Sequence, residues 1–133
     1  NIRAFFPPGT LSPMHSSGIG KALLAHMDVD HLAQVLQTHP REAFTTFTIT
    51  DPDELAQNLE ATRARGFAID SEEKNLGMRC IAAPVFDANG DAVAGISVSG
   101  PTSRMAQSDV DRLSVSVMAA ARDLTYAIGG TAR

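Results

Sequence analysis

The chain has 133 residues, 44% of them hydrophobic and 20% charged, which is the size and balance of one folded domain with a single core. Its formal net charge is −4 and its eleven lysines and arginines are scattered, which argues against tight nucleic-acid binding by this chain alone. No apolar run reaches the ~20 residues of a membrane span, and the N-terminus lacks a signal-peptide pattern, so no membrane partner is expected. The single cysteine cannot form an internal disulfide and fits a reducing cytosol, so we expect a cytoplasmic protein.

The first half of the chain predicts one strand, two helices and a second strand. The strand over residues 2–6 is stopped by Pro7-Pro8-Gly9. A helix capped by Ser16 or Ser17 is expected to run to about His26, and a second helix is expected over residues 29–37. The segment "FTTFTIT", residues 44–50, alternates threonine with apolar residues and therefore predicts a half-buried strand. Because the chain begins at "NIRAFF" without methionine, we expect it to be part of a longer protein.

The clearest helix signal is "DPDELAQNLEATRARG", residues 51–66. Asp51 is the expected cap, Pro52 occupies the first helical position, Glu54 has capping-box spacing and Gly66 ends the helix. Its inner face is traced by Leu55, Leu59 and Thr62, and "FAID", residues 67–70, follows as a strand.

The second half predicts a hairpin over residues 78–101 and a final helix over residues 107–128. A two-residue turn at Asn89-Gly90 is expected to join the hairpin strands. Ser108 is the expected cap of the final helix, whose buried side is predicted to carry Val110, Leu113, Val117, Ala121, Leu124 and Ile128. The irregular mixture of strands and helices predicts an α+β domain with a largely antiparallel sheet.

One face of the hairpin carries only small residues. With the turn at Asn89-Gly90, Cys80 lies opposite Ser99 and Ala82 lies opposite Ser97. A solvated face normally carries charged side chains, so this face is expected to be covered. Two explanations stay open, tight packing of a helix or the lining of a cavity, and packing is the commoner one. A longer loop with a bulge at Gly90 would move both serines to the other face.

Four further groups could carry chemistry. The amides of Gly18 and Ile19 at a helix start could bind an anion, although an ordinary capped helix start explains them equally well. Asp70 either caps the turn that follows its strand or borders a cavity. Cys80 could act as a nucleophile with His15 as base, or could join Asp70 and a histidine around a metal, but neither pairing has supporting spacing. The other histidines, His26, His31 and His39, are expected to be solvated.

Three segments together resemble the effector-binding domain of the IclR family of bacterial transcription regulators. They are "LSPMHSSGIGKALLA", "TITDPDELAQNLEATRARGFAIDSEE" and "GMRCIAAPVFDANGDAVAGISVSGPTSR". The resemblance implies a GAF-like fold in which helices flank a curved antiparallel sheet, over residues 1–133. It also implies that the winged helix-turn-helix of the family, which binds DNA, is absent from this chain. Family members form dimers or dimers of dimers, which implies a homodimer or homotetramer.

The resemblance also favours the cavity over tight packing. The family's pocket residues fall on Gly18, Ile19, Asp70, Cys80, Ser97 and Ser99, and the effector is often a small organic acid. Its carboxylate would accept hydrogen bonds from the amides of Gly18 and Ile19 and from Ser97 or Ser99. Asp70, if ionised, would accept from a hydroxyl or amine of the ligand, and Cys80 would fill space. No metal, cofactor or turnover is expected, and apolar neighbours should raise the pKa of Cys80. The alternatives are a cysteine- or metal-dependent enzyme and a domain that only oligomerises.

Overall fold

The computed structural model describes residues 7–132, so the strand predicted over residues 2–6 lies outside its range. Four helices and three strands follow in the order α1 (Gly18–Leu24), α2 (Val29–Thr38), α3 (Pro52–Arg65), β1 (Ala68–Ser71), β2 (Met78–Phe86), β3 (Ala92–Pro101) and α4 (Gln107–Ala127). The strands form one antiparallel sheet in the order β1-β2-β3, which confirms the α+β prediction. None of the helices in the described range is long and apolar enough to cross a membrane.

Helices α1 and α3 begin at caps that the sequence predicts, and Asp28 caps α2, for which no cap was predicted. The Ser17 hydroxyl accepts from the Gly20 amide, and the Asp51 carboxylate accepts from the Glu54 amide. Gly66 ends α3 with φ +92°, a left-handed conformation that favours glycine. Together α1, α2 and α3 enclose one apolar cluster, whose buried members are Leu24, Ala25, Ile49, Leu55 and Leu59.

The strand predicted over residues 44–50 is wrong, because this segment forms a turn. The Thr48 hydroxyl accepts hydrogen bonds from the amides of Phe44 and Thr45, which draws the chain into a tight loop. Ile49 is buried, but Phe47 is 55% exposed, so the apolar alternation does not mark one face of a strand.

The hairpin has the predicted register but not the predicted turn. Cys80 pairs with Ser99 and Ala82 with Ser97. The turn instead spans Asp87–Gly90, closed by a hydrogen bond from the Gly90 amide to the Asp87 carbonyl. Next to this turn Phe86 pairs with Ala92, whereas the predicted register would pair it with Val93, so the turn alone shifts the pairing by one residue. The register changes between Phe86 and Val85, which pairs with Ala94, so an extra residue of β3 restores the predicted pairing.

Helix α4 departs from prediction at both ends. Ala106 precedes the helix, and its amide donates to the carboxylate of Asp109, so Ser108 lies inside the helix and is not the cap. Near the C-terminal end the buried residue is Thr125, whose hydroxyl accepts from the Phe86 amide. That hydrogen bond turns Thr125 toward the sheet and leaves Leu124 and Ile128 exposed by 39% and 53%, so the predicted stripe is wrong there.

The two faces of the sheet are covered by different helices. Helix α4 packs against Ala83 and Val85 on one face, as the alternation of the hairpin predicts. On the opposite face Ala22 of α1 packs against Ala68 and Ala82. The small residues of the hairpin therefore face α1, and the N-terminal end of α1 lies over them.

Candidate ligand-binding site

The N-terminal end of α1 packs closely on the hairpin because glycines stand at the points of contact. A Cβ atom added to Gly18 would lie 2.8 Å from the sulfur of Cys80. One added to Gly95 would lie 2.9 Å from Cγ2 of Ile19. Real Cβ atoms do not approach so closely, so a larger residue at either position would push the helix off the sheet. Tight packing is thus part of the explanation for the small-residue face.

A cavity of about 690 Å³ occupies the rest of this face. All six site residues predicted from the sequence line it, namely Gly18, Ile19, Asp70, Cys80, Ser97 and Ser99. Seven residues between Pro7 and Met14 form another wall, and the loop after β1 contributes Lys74 and Asn75. The structure therefore brings the predicted residues together around one space, and their binding of a ligand stays a prediction.

Asp70 both caps a turn and lines the cavity. It lies opposite Cys80 in the β1–β2 pairing, and its Oδ1 accepts from the Glu73 amide at 2.9 Å. Burial raises the pKa of Asp70 to about 6. The hydrogen bond from the Glu73 amide opposes that rise, the charge of Glu73 adds to it, and the charge of Lys21 opposes it. A carboxyl in this position changes charge close to neutral pH.

A buried ion pair that the sequence analysis missed holds the loop after β1. Lys21 of α1 is fully buried, and its Nζ donates to the Ile69 carbonyl at 2.5 Å and to the Glu73 carboxylate at 2.9 Å. The hydroxyls of Thr45 and Thr48 donate to the carbonyls of Glu72 and Glu73. These contacts fix the loop that carries Lys74 and Asn75 to the cavity. The sequence signal that could have revealed this pair is the position of Lys21, which lies one turn before Leu24 on the apolar side of α1.

Two neighbouring serines at the start of α1 have different environments. The Ser17 hydroxyl caps the helix, whereas the Ser16 hydroxyl is buried and has no hydrogen-bond partner among the residues that the structure describes. Ser16 also lines the cavity. The sequence analysis considered Ser16 only as an alternative cap, because its hydroxyl carries no local pattern.

The surroundings of Cys80 do not activate its thiol. Burial raises the pKa of Cys80, and the charge of Asp70 adds to the rise. Hydrogen bonds from Ser99, Ser97 and the Gly18 amide act in the opposite direction without reversing it. Because the thiolate is the reactive form, Cys80 is a poor nucleophile at neutral pH.

The histidine proposed as its base is engaged elsewhere. His15 is buried, its Nε2 lies 2.8 Å from the Glu42 carbonyl, and its ring stacks on Phe44. Within residues 7–132, no group of three or more His, Cys, Asp or Glu side chains is placed to hold a metal ion. Asp70 and Cys80 face each other across two strands, but that range supplies no third ligand.

Comparison with known proteins places this chain in a family. Residues 1–126 match the model of the bacterial transcriptional regulator IclR C-terminal family. The chain is 55% identical to the HTH-type transcriptional regulator BhcR of Paracoccus denitrificans over 125 residues, which cover 94% of the chain and 45% of that protein. It is 40% identical to the transcriptional repressor IclR of Escherichia coli, covering 97% of the chain and 47% of that protein. The chain thus spans about half the length of these relatives.

Solved structures agree with the sequence comparison. The C-terminal domain of the E. coli transcriptional regulator KdgR matches with a TM-score of 0.83 and 38% identity, covering 88% of this chain and 71% of that one. The inducer-binding domain of PobR from Acinetobacter, a double mutant in complex with 3-hydroxybenzoic acid, matches with a TM-score of 0.79 and 27% identity, covering 86% of this chain and 66% of that one. The resemblance found in the sequence is confirmed, and the chain belongs to the family of C-terminal domains of IclR bacterial transcriptional regulators.

Proposed function

We propose that this domain binds a small organic acid in the cavity and thereby controls DNA binding by the rest of a longer regulator. The observation that carries the proposal is the cavity of about 690 Å³ around the six predicted residues. Among its lining residues in the described range, Lys74 carries a positive charge and Asp70 a carboxyl, whereas the guanidinium of Arg79 is bonded to Ser71 and Met105. The hydroxyls and the helix-start amides around the cavity suit an anion as donors, and the volume suits a small molecule rather than a polymer.

The ligand carboxylate accepts hydrogen bonds from the hydroxyls of Ser97 and Ser99 and from the amide of Ile19. The Gly18 amide and both serine hydroxyls also donate to the sulfur of Cys80, so a ligand carboxylate replaces that sulfur as their acceptor. Asp70, when ionised, repels a second carboxylate and accepts from a hydroxyl or amine of the ligand. Cys80 contributes surface and no bond-forming step, so the site binds without turnover.

Control of DNA binding requires a partner domain and an assembly. The relatives are about twice as long as this chain, and DNA is contacted only through an additional N-terminal domain. The whole protein works in the cytoplasm as a homodimer or homotetramer. A ligand that binds one arrangement of subunits more tightly than another shifts the population toward it. The structurally similar PobR domain supports the proposal, because it is an inducer-binding domain in complex with 3-hydroxybenzoic acid.

A thermal-shift screen of small organic acids against this chain tests the proposal. A binding acid should raise the melting temperature with concentration. The variants Ser97→Ala and Ser99→Ala should each weaken that acid by about 1–3 kcal/mol, because each removes a donor to a charged group. Ser116→Ala is the matched control, since Ser116 is exposed on α4. A screen without any stabilising acid, or equal affinities for all three variants, would count against the proposed site.

A further inference from the structure

A second cavity, of about 130 Å³, lies between the C-terminal end of α3 and helix α4. It shares no lining residue with the larger cavity at the start of α1. Strand β2 contributes Ala83, Pro84 and Phe86 to its lining, and α4 contributes Met118 and Ala121. The volume equals that of about four water molecules in the liquid, so the space suits a molecule of a few heavy atoms.

The charged residues that line the second cavity are cationic. Arg63 reaches it from α3 and Arg122 reaches it from α4, and no Asp or Glu side chain of residues 7–132 lines it. His26 also lines it, with its ring edge-on to Phe86 at a centroid distance of 5.0 Å. Two guanidinium groups at one small space repel each other, because the lining offers no negative charge between them. The second cavity therefore favours an anion.

The hydrogen bonds of the two arginines leave most of their donors unused. The Nε of Arg63 donates to the carbonyl of Ala25 at 2.6 Å, which holds the side chain against the end of α1. Within residues 7–132, neither its two terminal nitrogens nor the guanidinium of Arg122 has a hydrogen-bond or ion-pair partner. All three guanidinium nitrogens of Arg79, by contrast, donate to protein oxygens. An arginine anchored by Nε presents its two terminal nitrogens as a preformed fork for the oxygens of an anion.

We propose that the second cavity binds a small dianionic oxyanion, of which inorganic phosphate is the simplest example. Arg63 and Arg122 donate to its oxygens from two different helices, and the volume admits no bulky organic group. Two guanidinium groups favour a dianion over a single carboxylate, because two negative charges balance both of them. The inference goes beyond the proposed function. An anion held by both α3 and α4 stabilises the folded domain, because the unfolded chain has no such site.

Thermal unfolding of this chain with inorganic phosphate tests the proposal. At an ionic strength held constant with sodium chloride, phosphate should raise the melting temperature in a saturable way, and acetate should not. Arg122→Gln should weaken phosphate binding about 10-fold, because it removes a charged donor. The matched control is Arg112→Gln, which removes the same charge from an exposed position of the same helix and lies outside the second cavity. It should leave the phosphate affinity unchanged.

A second control separates the two cavities. Ser99→Ala changes the larger cavity and should leave the affinity for phosphate unchanged. If Ser99→Ala weakens phosphate and Arg122→Gln does not, the anion binds in the larger cavity, and the inference is overturned while the proposed function stands. Equal weakening by Arg112→Gln and Arg122→Gln would reduce the effect to overall charge and would overturn it as well. The absence of a saturable shift, or an equal shift with acetate, would also overturn the assignment of a dianion site.

Discussion

Asparagine in place of Asp70 should stabilise the unliganded domain at neutral pH. The pKa of Asp70 is raised from 3.8 to about 6, first by burial, so the folded protein takes up a proton that the unfolded chain releases between these values. The free energy of unfolding therefore falls as pH rises from about 4 to 6, and above 6 the ionised carboxylate remains a cost. Asparagine has nearly the same shape, carries no charge and keeps an oxygen for the Glu73 amide.

The size of the effect follows from the pKa difference. Each pKa unit corresponds to about 1.4 kcal/mol, which gives an upper bound of roughly 3 kcal/mol for Asp70 above pH 6. Asp70 is only partly buried, and water screens part of that cost, so we expect about 1–2 kcal/mol. For a domain of this size the gain corresponds to a rise in melting temperature of roughly 4–8 °C at pH 7.5.

Urea unfolding of both proteins between pH 4 and pH 8 measures this difference directly. The gap in unfolding free energy should open between pH 4 and 6 and stay constant above. Other carboxyls titrate in both proteins and cancel in the difference. Asp91→Asn, a change at an exposed residue next to the hairpin turn, is the control and should not reproduce the gap. Equal stabilities at pH 7.5, or an asparagine variant that is less stable there, would show that attraction to Lys21 outweighs burial.

Three further changes test the packing around the cavity. Lys21→Met should cost about 3–5 kcal/mol in urea unfolding because it leaves the Glu73 carboxylate buried without its cation, and adding Glu73→Gln should recover part of the loss. Gly18→Ala should cost about 1–3 kcal/mol through its contact with the sulfur of Cys80, and a double variant with Cys80→Ala should be more stable than the single one. Iodoacetamide should modify Cys80 more slowly than free cysteine at pH 7.5, because burial raises its pKa, and a bound acid should slow the reaction further.

Local signals were sufficient where a single segment determines its own structure. Helix α3 is capped by Asp51 and Gly66 as predicted, because a cap, a first-turn proline and a terminal glycine all act within one stretch of chain. Segment 44–50 shows the opposite case. Its alternation suits a strand, but Thr45 and Thr48 bond to the carbonyls of Glu72 and Glu73, more than twenty residues away. No local pattern contains those partners.

The loop beside the cavity depends on an equally distant pair. Lys21 and Glu73 are 52 residues apart in the chain, and neither segment contains a local pattern that names its partner. Their pairing becomes visible only when α1 lies on the sheet beside β1. The sequence could therefore identify the floor of the cavity, which is the hairpin face with Cys80, Ser97 and Ser99. It could not identify the Lys21–Glu73 pair that holds the loop beside the cavity.

The residues that face the cavity from the hairpin were predicted correctly, although the predicted turn is wrong. The expected two-residue turn is wrong, yet Cys80 still pairs with Ser99, because the extra residue of β3 cancels the shift that the longer turn introduces. A slip of β3 by one residue would bring Ser97 and Ser99 to the side of α4 and turn Ile96 and Val98 toward the cavity, at the cost of burying small polar groups against an apolar helix. The register is therefore determined by which residues can be buried against α4, and the turn adapts to it. Since the apolar alternation of β2 and β3 is written in the sequence, the face that carries Cys80, Ser97 and Ser99 could be predicted even though the turn could not.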